Sequence, residues 1–158
     1  MSKLRTLVLL GTHLGAGALG FALGIYALPI LIAPPAPTEG EVAAMAAQSS
    51  FTAEFVRELE GSDRLHWGEG TVTLGEDYAT FMGKLAPGPD YRLYLAPEFV
   101  QTEAEFEAVK SASLYVGDVK TFENFILPMT PGTDLAAYDT VVVWCETFGE
   151  FITAAKYR

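Results

Sequence analysis

Hydrophobic positions at the start of the chain form one unbroken block. No charged residue stands between Arg5 and Glu39, and the run from Leu7 to Ala33 is apolar almost throughout. As a helix this run extends about 40 Å, more than the roughly 30 Å hydrocarbon core of a bilayer. Residues 1–33 are therefore expected to form one transmembrane signal-anchor, with membrane lipid as partner along residues 7–33. Residues 34–50 then change to a Pro- and Ala-rich linker. Pro34, Pro35 and Pro37 favour a stiff extended spacer. Within it, Thr38 and Glu41 have the spacing of a capping box for a short helix over 38–47.

From Phe51 the pattern changes again, and a folded body over 51–158 is expected. The segment 51–57 carries aromatic and β-branched residues. GEGTVTL and YATFM flank a Gly75-Glu76-Asp77 turn, which is a hairpin signature. Val72 and Leu74 share one face, with Thr71 and Thr73 on the other. In YRLYLA, Tyr91, Leu93 and Leu95 alternate with Arg92 and Tyr94. LYVGDVK, FENFIL and DTVVVWCE continue the series. Val141, Val142, Val143 and Trp144 are consecutive, so that strand should be central and covered on both faces. One short helix is expected after Thr102, with Glu105 completing a second capping box and Phe106 and Val109 on one face. About eight short strands and one helix predict a mainly β fold, an antiparallel sandwich or barrel-like domain. Its core should hold Phe55, Val72, Leu74, Leu93, Leu95, Val141, Val143 and Phe151.

Charge orients the anchor. Lys3 and Arg5 precede the apolar run, and Glu39 and Glu41 follow it. The positive-inside bias places the N-terminus in the cytoplasm and the C-terminal body outside, periplasmic or extracellular, on a single-pass protein of the inner or cell membrane. A cleaved secretory signal is the competing reading, although its apolar region is usually only about 7–15 residues long. Gly11/Gly15 and Gly20/Gly24 are weak small-xxx-small pairs, and His13 reads as an interfacial residue. The chain as a whole has 10 Lys plus Arg against 20 Asp plus Glu, a formal charge of −10. Such a surface repels phosphate backbones, so no nucleic-acid partner is expected. Charged residues make up 19% and hydrophobic residues 50%, which excludes a disordered chain.

Four motifs in series are more specific: GSDRLHWGEGTV (61–72), LAPGPDYRLYLAP (85–97), YVGDVK with ILP, and VVVWCETFGEFITA (141–154). Together they resemble the DM-thirteen domain, in the expected order, over about Phe51 to Tyr157. The resemblance implies a β-rich extracytoplasmic domain. In animals such domains stand beside DOMON and b-type cytochrome modules, and an electron-transfer role is proposed through a recurrent cysteine, matched here by Cys145. Small bacterial members share this layout of membrane helix, spacer and one domain.

The chemistry in view is sparse. Cys145 is the single thiol. It reads either as a redox thiol in an oxidising compartment or as a buried small hydrophobe made inert by apolar burial. Glu146, next to it, is expected to raise its pKa. Period-two alternation puts Cys145 on the face of Val141 and Val143, opposite Trp144. His66 and Trp67 open HWGEG. His66 reads as a ligand for haem iron or a metal, helped by Glu69 or Asp63, or as a hydrogen-bonding residue beside a glycine bulge or close approach. His66, Trp67, Glu69 and Trp144 are accordingly weak binding candidates. No metal site is assigned and no cofactor is evident, with haem or a metal at His66 left open. In the APGPD turn, Pro87 and Pro89 should fix φ and Gly88 should supply the unusual angle. No hydrolase elbow, phosphate loop, zinc-protease helix or dinucleotide fingerprint occurs, so a conventional enzyme is not expected.

The function these observations favour is a membrane-anchored extracytoplasmic domain with a redox or electron-transfer role through Cys145 and a redox partner protein. The alternative is a non-catalytic binding or envelope-structural module. Fused after Arg158, a reporter active only in an exported compartment should give signal, and a cytoplasm-only reporter should be silent. Activity of the cytoplasmic reporter at that position would reverse the orientation.

Overall fold

The computed structural model describes residues 2–158. The apolar block forms helix α1 (Lys3–Ile32), capped by the Ser2 side chain at the Arg5 N–H, with Pro29 near its end. Its mean hydropathy reaches 1.9, and none of it is buried inside the protein. Length and composition thus suit a single membrane anchor. Pro34, Pro35 and Pro37 then lead the chain, without regular structure, up to helix α2 (Glu39–Ala46). Thr38 and Glu41 form the expected reciprocal capping box there: the Glu41 N–H donates to Thr38 Oγ1, and the Thr38 N–H donates to Glu41 Oε2 at 2.8 Å.

This part of the linker is docked on the body. Val42 is buried, Asn124 Nδ2 donates to the Pro37 carbonyl at 3.1 Å, and α2 packs against the sheet that follows. The first strand also begins slightly ahead of Phe51, at Ser49.

Eight strands form two antiparallel four-stranded sheets. They are β1 (Ser49–Phe55), β2 (Gly68–Gly75), β3 (Tyr78–Leu85), β4 (Tyr91–Ala96), β5 (Leu114–Val119), β6 (Phe125–Pro128), β7 (Thr140–Cys145) and β8 (Glu150–Lys156). One sheet runs β1-β2-β3-β6 and the other β5-β4-β7-β8. The domain is a sandwich, mainly β, as the strand pattern predicted. The expected hairpin is β2 and β3, with Val72 opposite Phe81 and Leu74 opposite Ala79. Every residue expected in the core is buried, including Leu93, Leu95, Val141 and Val143 at 0% exposure.

Strand β7 is buried at all six positions. On one side Val141, Val143 and Cys145 join the core between the sheets, with Phe55, Phe81, Leu93 and Phe125. On the other side Val142 and Trp144 pack with Tyr94, Phe106 and Phe151. That second core is roofed by helix α3 (Glu103–Val109) and the 3-10 turn after it. Thr102 caps α3 at the Glu105 N–H, but Glu105 does not return the bond to Thr102. Its carboxylate takes the Gln101 N–H at 2.7 Å. The box is therefore half formed, with the Glu105 carboxylate satisfying the Gln101 N–H in place of the Thr102 N–H.

Leu93 packs at the centre of β4 between β5 and β7. Leu93→Ala should cost about 2–5 kcal/mol, read as a lower urea midpoint with an unchanged slope. Phe99→Ala, at a position 38% exposed, should shift the midpoint far less. Equal effects would contradict the two-sided core.

Candidate functional site

Strand pairing sets the site. In the β4–β7 register Tyr91 lies opposite Cys145 and Arg92 opposite Trp144. Alternation sends Tyr91 and Cys145 to one face and Trp144 to the other. Cys145 is the last residue of β7, and the chain turns at Glu146–Gly149 before β8. The turn is closed by the Gly149 N–H to the Cys145 carbonyl and tied to the neighbouring loop by the Glu146 N–H to the Asp90 carbonyl.

The thiol is buried, at 2% exposure. Its Sγ donates to the Pro89 carbonyl at 2.9 Å. Burial pushes the Cys145 pKa up. N–H groups of Phe148 and Thr147 pull against that, and the carboxylates of Asp90 and Glu150 add to it, with the net shift upward. The expectation that Glu146 would be the raising charge is corrected. Glu146 points to the other face, where it accepts from the Tyr94 hydroxyl and from Lys110 Nζ at 2.9 Å. There burial works to raise the Glu146 pKa, but the bonds from Tyr94 and Lys110 outweigh it and hold the carboxyl low. Burial and the same carboxylate push Tyr94 up to about 12.

The turn before β4 also differs from expectation. The positive backbone angle falls on Asp90, with φ 53°, and not on Gly88. Gly88 is needed for space: a Cβ there would lie 2.4 Å from the Tyr91 hydroxyl. The turn thus brings backbone against the Tyr91 ring, which a larger residue would prevent.

Cys145 and Tyr91 line a cavity of about 220 Å³ together with His66, Leu65, Phe148 and Glu150, and with Ala22, Ile25 and Tyr26 of α1. The second half of α1 is therefore one wall of the site. A neighbouring cavity of about 360 Å³ lies farther along the helix, between Leu28–Pro34 and the Gly88–Tyr91 turn, with Phe122 and Val119 behind. Tyr91 borders both.

The remaining candidates separate. His66 lines the smaller cavity, but its Nδ1 is bonded to Asp63 at 3.1 Å. Asp63 also accepts the N–H groups of Leu65 and His66 at 2.6 and 2.8 Å. Burial nudges the Asp63 pKa upward, and these bonds together bring it below its usual value. Trp67 lies elsewhere, stacked under the Arg57 guanidinium at 3.5 Å, and Glu69 pairs with Arg57 at 3.3 Å. Glu69 is thus not turned to His66. Gly70, with φ 137°, lets β2 run close to β3: a Cβ would lie 2.4 Å from the Met82 carbonyl oxygen. The glycines of HWGEG serve close approach. No group of three metal-ligating side chains occurs among the described residues. Trp144 is buried on the far face, against Phe106 at 5.0 Å between ring centroids and under Lys110.

Sequence reasoning did not select Tyr91 or Tyr26 for the site. The signal for Tyr91 was available in the alternation of YRLYLA together with the glycine three residues before it. Tyr26 had none, because it joins through the packing of the anchor on the body.

Residues 55–157 match the family model described as Electron transfer DM13. No curated protein and no solved structure matches the chain.

Gly88→Ala should destabilise the protein by about 1–3 kcal/mol through overpacking. Tyr91→Phe in the same chain should recover part of that loss, since it removes the atom nearest the new methyl. Additive effects in a denaturant double-mutant cycle would contradict the contact.

Proposed function

The chain belongs to the Electron transfer DM13 family, and from that premise we propose that it is a membrane-anchored, exported electron-transfer domain. Its working site is the cavity between α1 and the body. The observation that carries this reading is the convergence of Cys145, Tyr91 and His66 on one cavity walled by the anchor helix. The charge distribution around the anchor supports a cytoplasmic N-terminus and an exported body in the inner or cell membrane.

In this reading Cys145 carries the redox change. Disulfide formation between Cys145 and a thiol of a partner protein releases two protons and two electrons, which pass to an electron acceptor of the exported compartment. The sequence has one cysteine, so the second sulfur belongs to another molecule. The thiol rests in its neutral form, with its S–H donating to the Pro89 carbonyl. It is therefore a poor nucleophile until a molecule enters the cavity.

A second reading, a non-catalytic binding or envelope-structural module, is favoured by the same burial. A thiol at 2% exposure with a raised pKa has the features of a packing residue.

Thiol labelling separates the two. Through the cavity, neutral N-ethylmaleimide should modify native Cys145 faster than global unfolding exposes it. A dianionic aromatic disulfide should lag, because Asp90 and Glu150 repel it. The rate should climb with pH through and beyond the ordinary ~8.5 of a free thiol, because the thiolate fraction keeps growing until the pH passes the raised pKa. Labelling no faster than unfolding, together with a large loss of stability in Cys145→Ser, would leave the binding-module reading.

A further inference from the structure

Tyr91 differs from the other two buried tyrosines of the body. Tyr94 donates to Glu146 and Tyr157 to the Leu135 carbonyl. Tyr91 is 3% exposed as a residue and lines both cavities at the helix–body junction, and its hydroxyl bonds to no other described residue. The walls next to it are mainly apolar: Leu28, Pro29, Ile32 and Phe122 in the larger, Ile25 and Phe148 in the smaller.

The site's position in the membrane follows from α1. Counting roughly 20 residues of helix for the hydrocarbon core from Leu7 brings the bilayer surface near Tyr26, an aromatic of the kind found at that depth. The cavities along Ala22–Pro34 thus open where the body meets the lipid. Exposed Leu65 and Phe148 lie at the same junction. The charged residues nearby are mostly acidic: Asp90 and Asp118 at one cavity and Glu150 at the other, with Lys120 the one cation lining them. That field opposes a phosphate headgroup and leaves an uncharged head as the fitting one.

We propose that the junction of α1 with the body binds a lipid-soluble quinone, whose ring carbonyl accepts the Tyr91 hydroxyl while its tail leaves along α1 into the bilayer. A volume of about 360 Å³ for the larger cavity is within the range of small-ligand sites. This deepens the electron-transfer reading by naming the class of molecule that reaches the site. It rests on that reading for the choice of a quinone among uncharged carbonyl lipids. Cys145, opposite Tyr91, forms the floor, and no covalent step is assigned to it here.

The test uses the full chain in phosphatidylcholine nanodiscs and tritiated decylubiquinone, with empty nanodiscs giving the partition background. Saturable binding at one quinone per chain is expected. Tyr91→Phe should weaken it about 3- to 10-fold, the range of one neutral hydrogen bond, with no fall in melting temperature, since the hydroxyl is bonded to nothing in the chain. Ala33→Trp, which fills the larger cavity from the helix side, should abolish it. Equal affinity in Tyr91→Phe would overturn the proposal. So would a Tyr91→Phe variant that loses its fold, because the hydroxyl would then have an internal partner. Quinone uptake no greater than that of empty nanodiscs, or a dioleoylglycerol probe that competes equally well, would also overturn it, the latter in favour of a general carbonyl lipid site. The assay reads binding alone, so absence of thiol redox chemistry would sink the electron-transfer role and leave this result standing.

Discussion

Burial of β7 on both faces is the constraint on which the other features depend. A strand with one wet face could slip or expose its alternate residues. Here Val141, Val143 and Cys145 are committed to the core between the sheets, and Val142 and Trp144 to the core under α3. A shift of one residue would exchange the two sets. It would carry Cys145 away from Tyr91 and place Trp144 against the anchor. The hydrogen bonds between β4 and β7 therefore do more than hold a sheet: they decide which side chains meet at the end of β7.

The end of β7 converts that packing into a site. A strand interior has no room for a ligand, but Cys145 is the last residue before the chain turns. The Pro87–Asp90 segment closes over it from one side, with the Pro89 carbonyl accepting the thiol's hydrogen bond and Gly88 admitting the Tyr91 ring. The anchor closes the third side through Ala22, Ile25 and Tyr26. A buried thiol, the Tyr91 hydroxyl and a bonded histidine thus share a mainly apolar space walled by the anchor helix. Burial keeps the thiol neutral, so any chemistry there depends on what enters. The opposite face of β7 is organised differently, with Lys110, Glu146 and Tyr94 linked by charge over Trp144. Those bonds brace the second core and leave Glu146 without influence on the thiol.

Much of the fold was legible because β periodicity is strong wherever one face is dry. The run of Val141 to Trp144 announced a two-sided strand, and the Thr38–Glu41 and Thr102–Glu105 spacings located both short helices. What escaped were features set by tertiary contact. Glu105 turned to Gln101, a choice of partner that spacing cannot encode. The positive φ fell on Asp90 where glycine was the natural choice, since Gly88 was already required for the approach of Tyr91. Within the site, Cys145 and His66 were visible as isolated chemistry-bearing residues. Their convergence was not, nor was the separation of Trp67 and Glu69 onto Arg57. The anchor's part as a wall was hidden most completely, because an apolar run long enough for a bilayer already has a sufficient reason for each of its residues.

Photocrosslinking tests the packing of α1 over Cys145 most directly. With benzoylphenylalanine in place of Tyr26, in the full chain in native membranes, irradiation should yield intramolecular adducts. Mass spectrometry should find them in peptides carrying Leu65–His66, Pro87–Tyr91 or Phe148–Ile152. Adducts to lipid alone, or to the far sheet edge at β1 or β5, would contradict a cavity closed by the anchor.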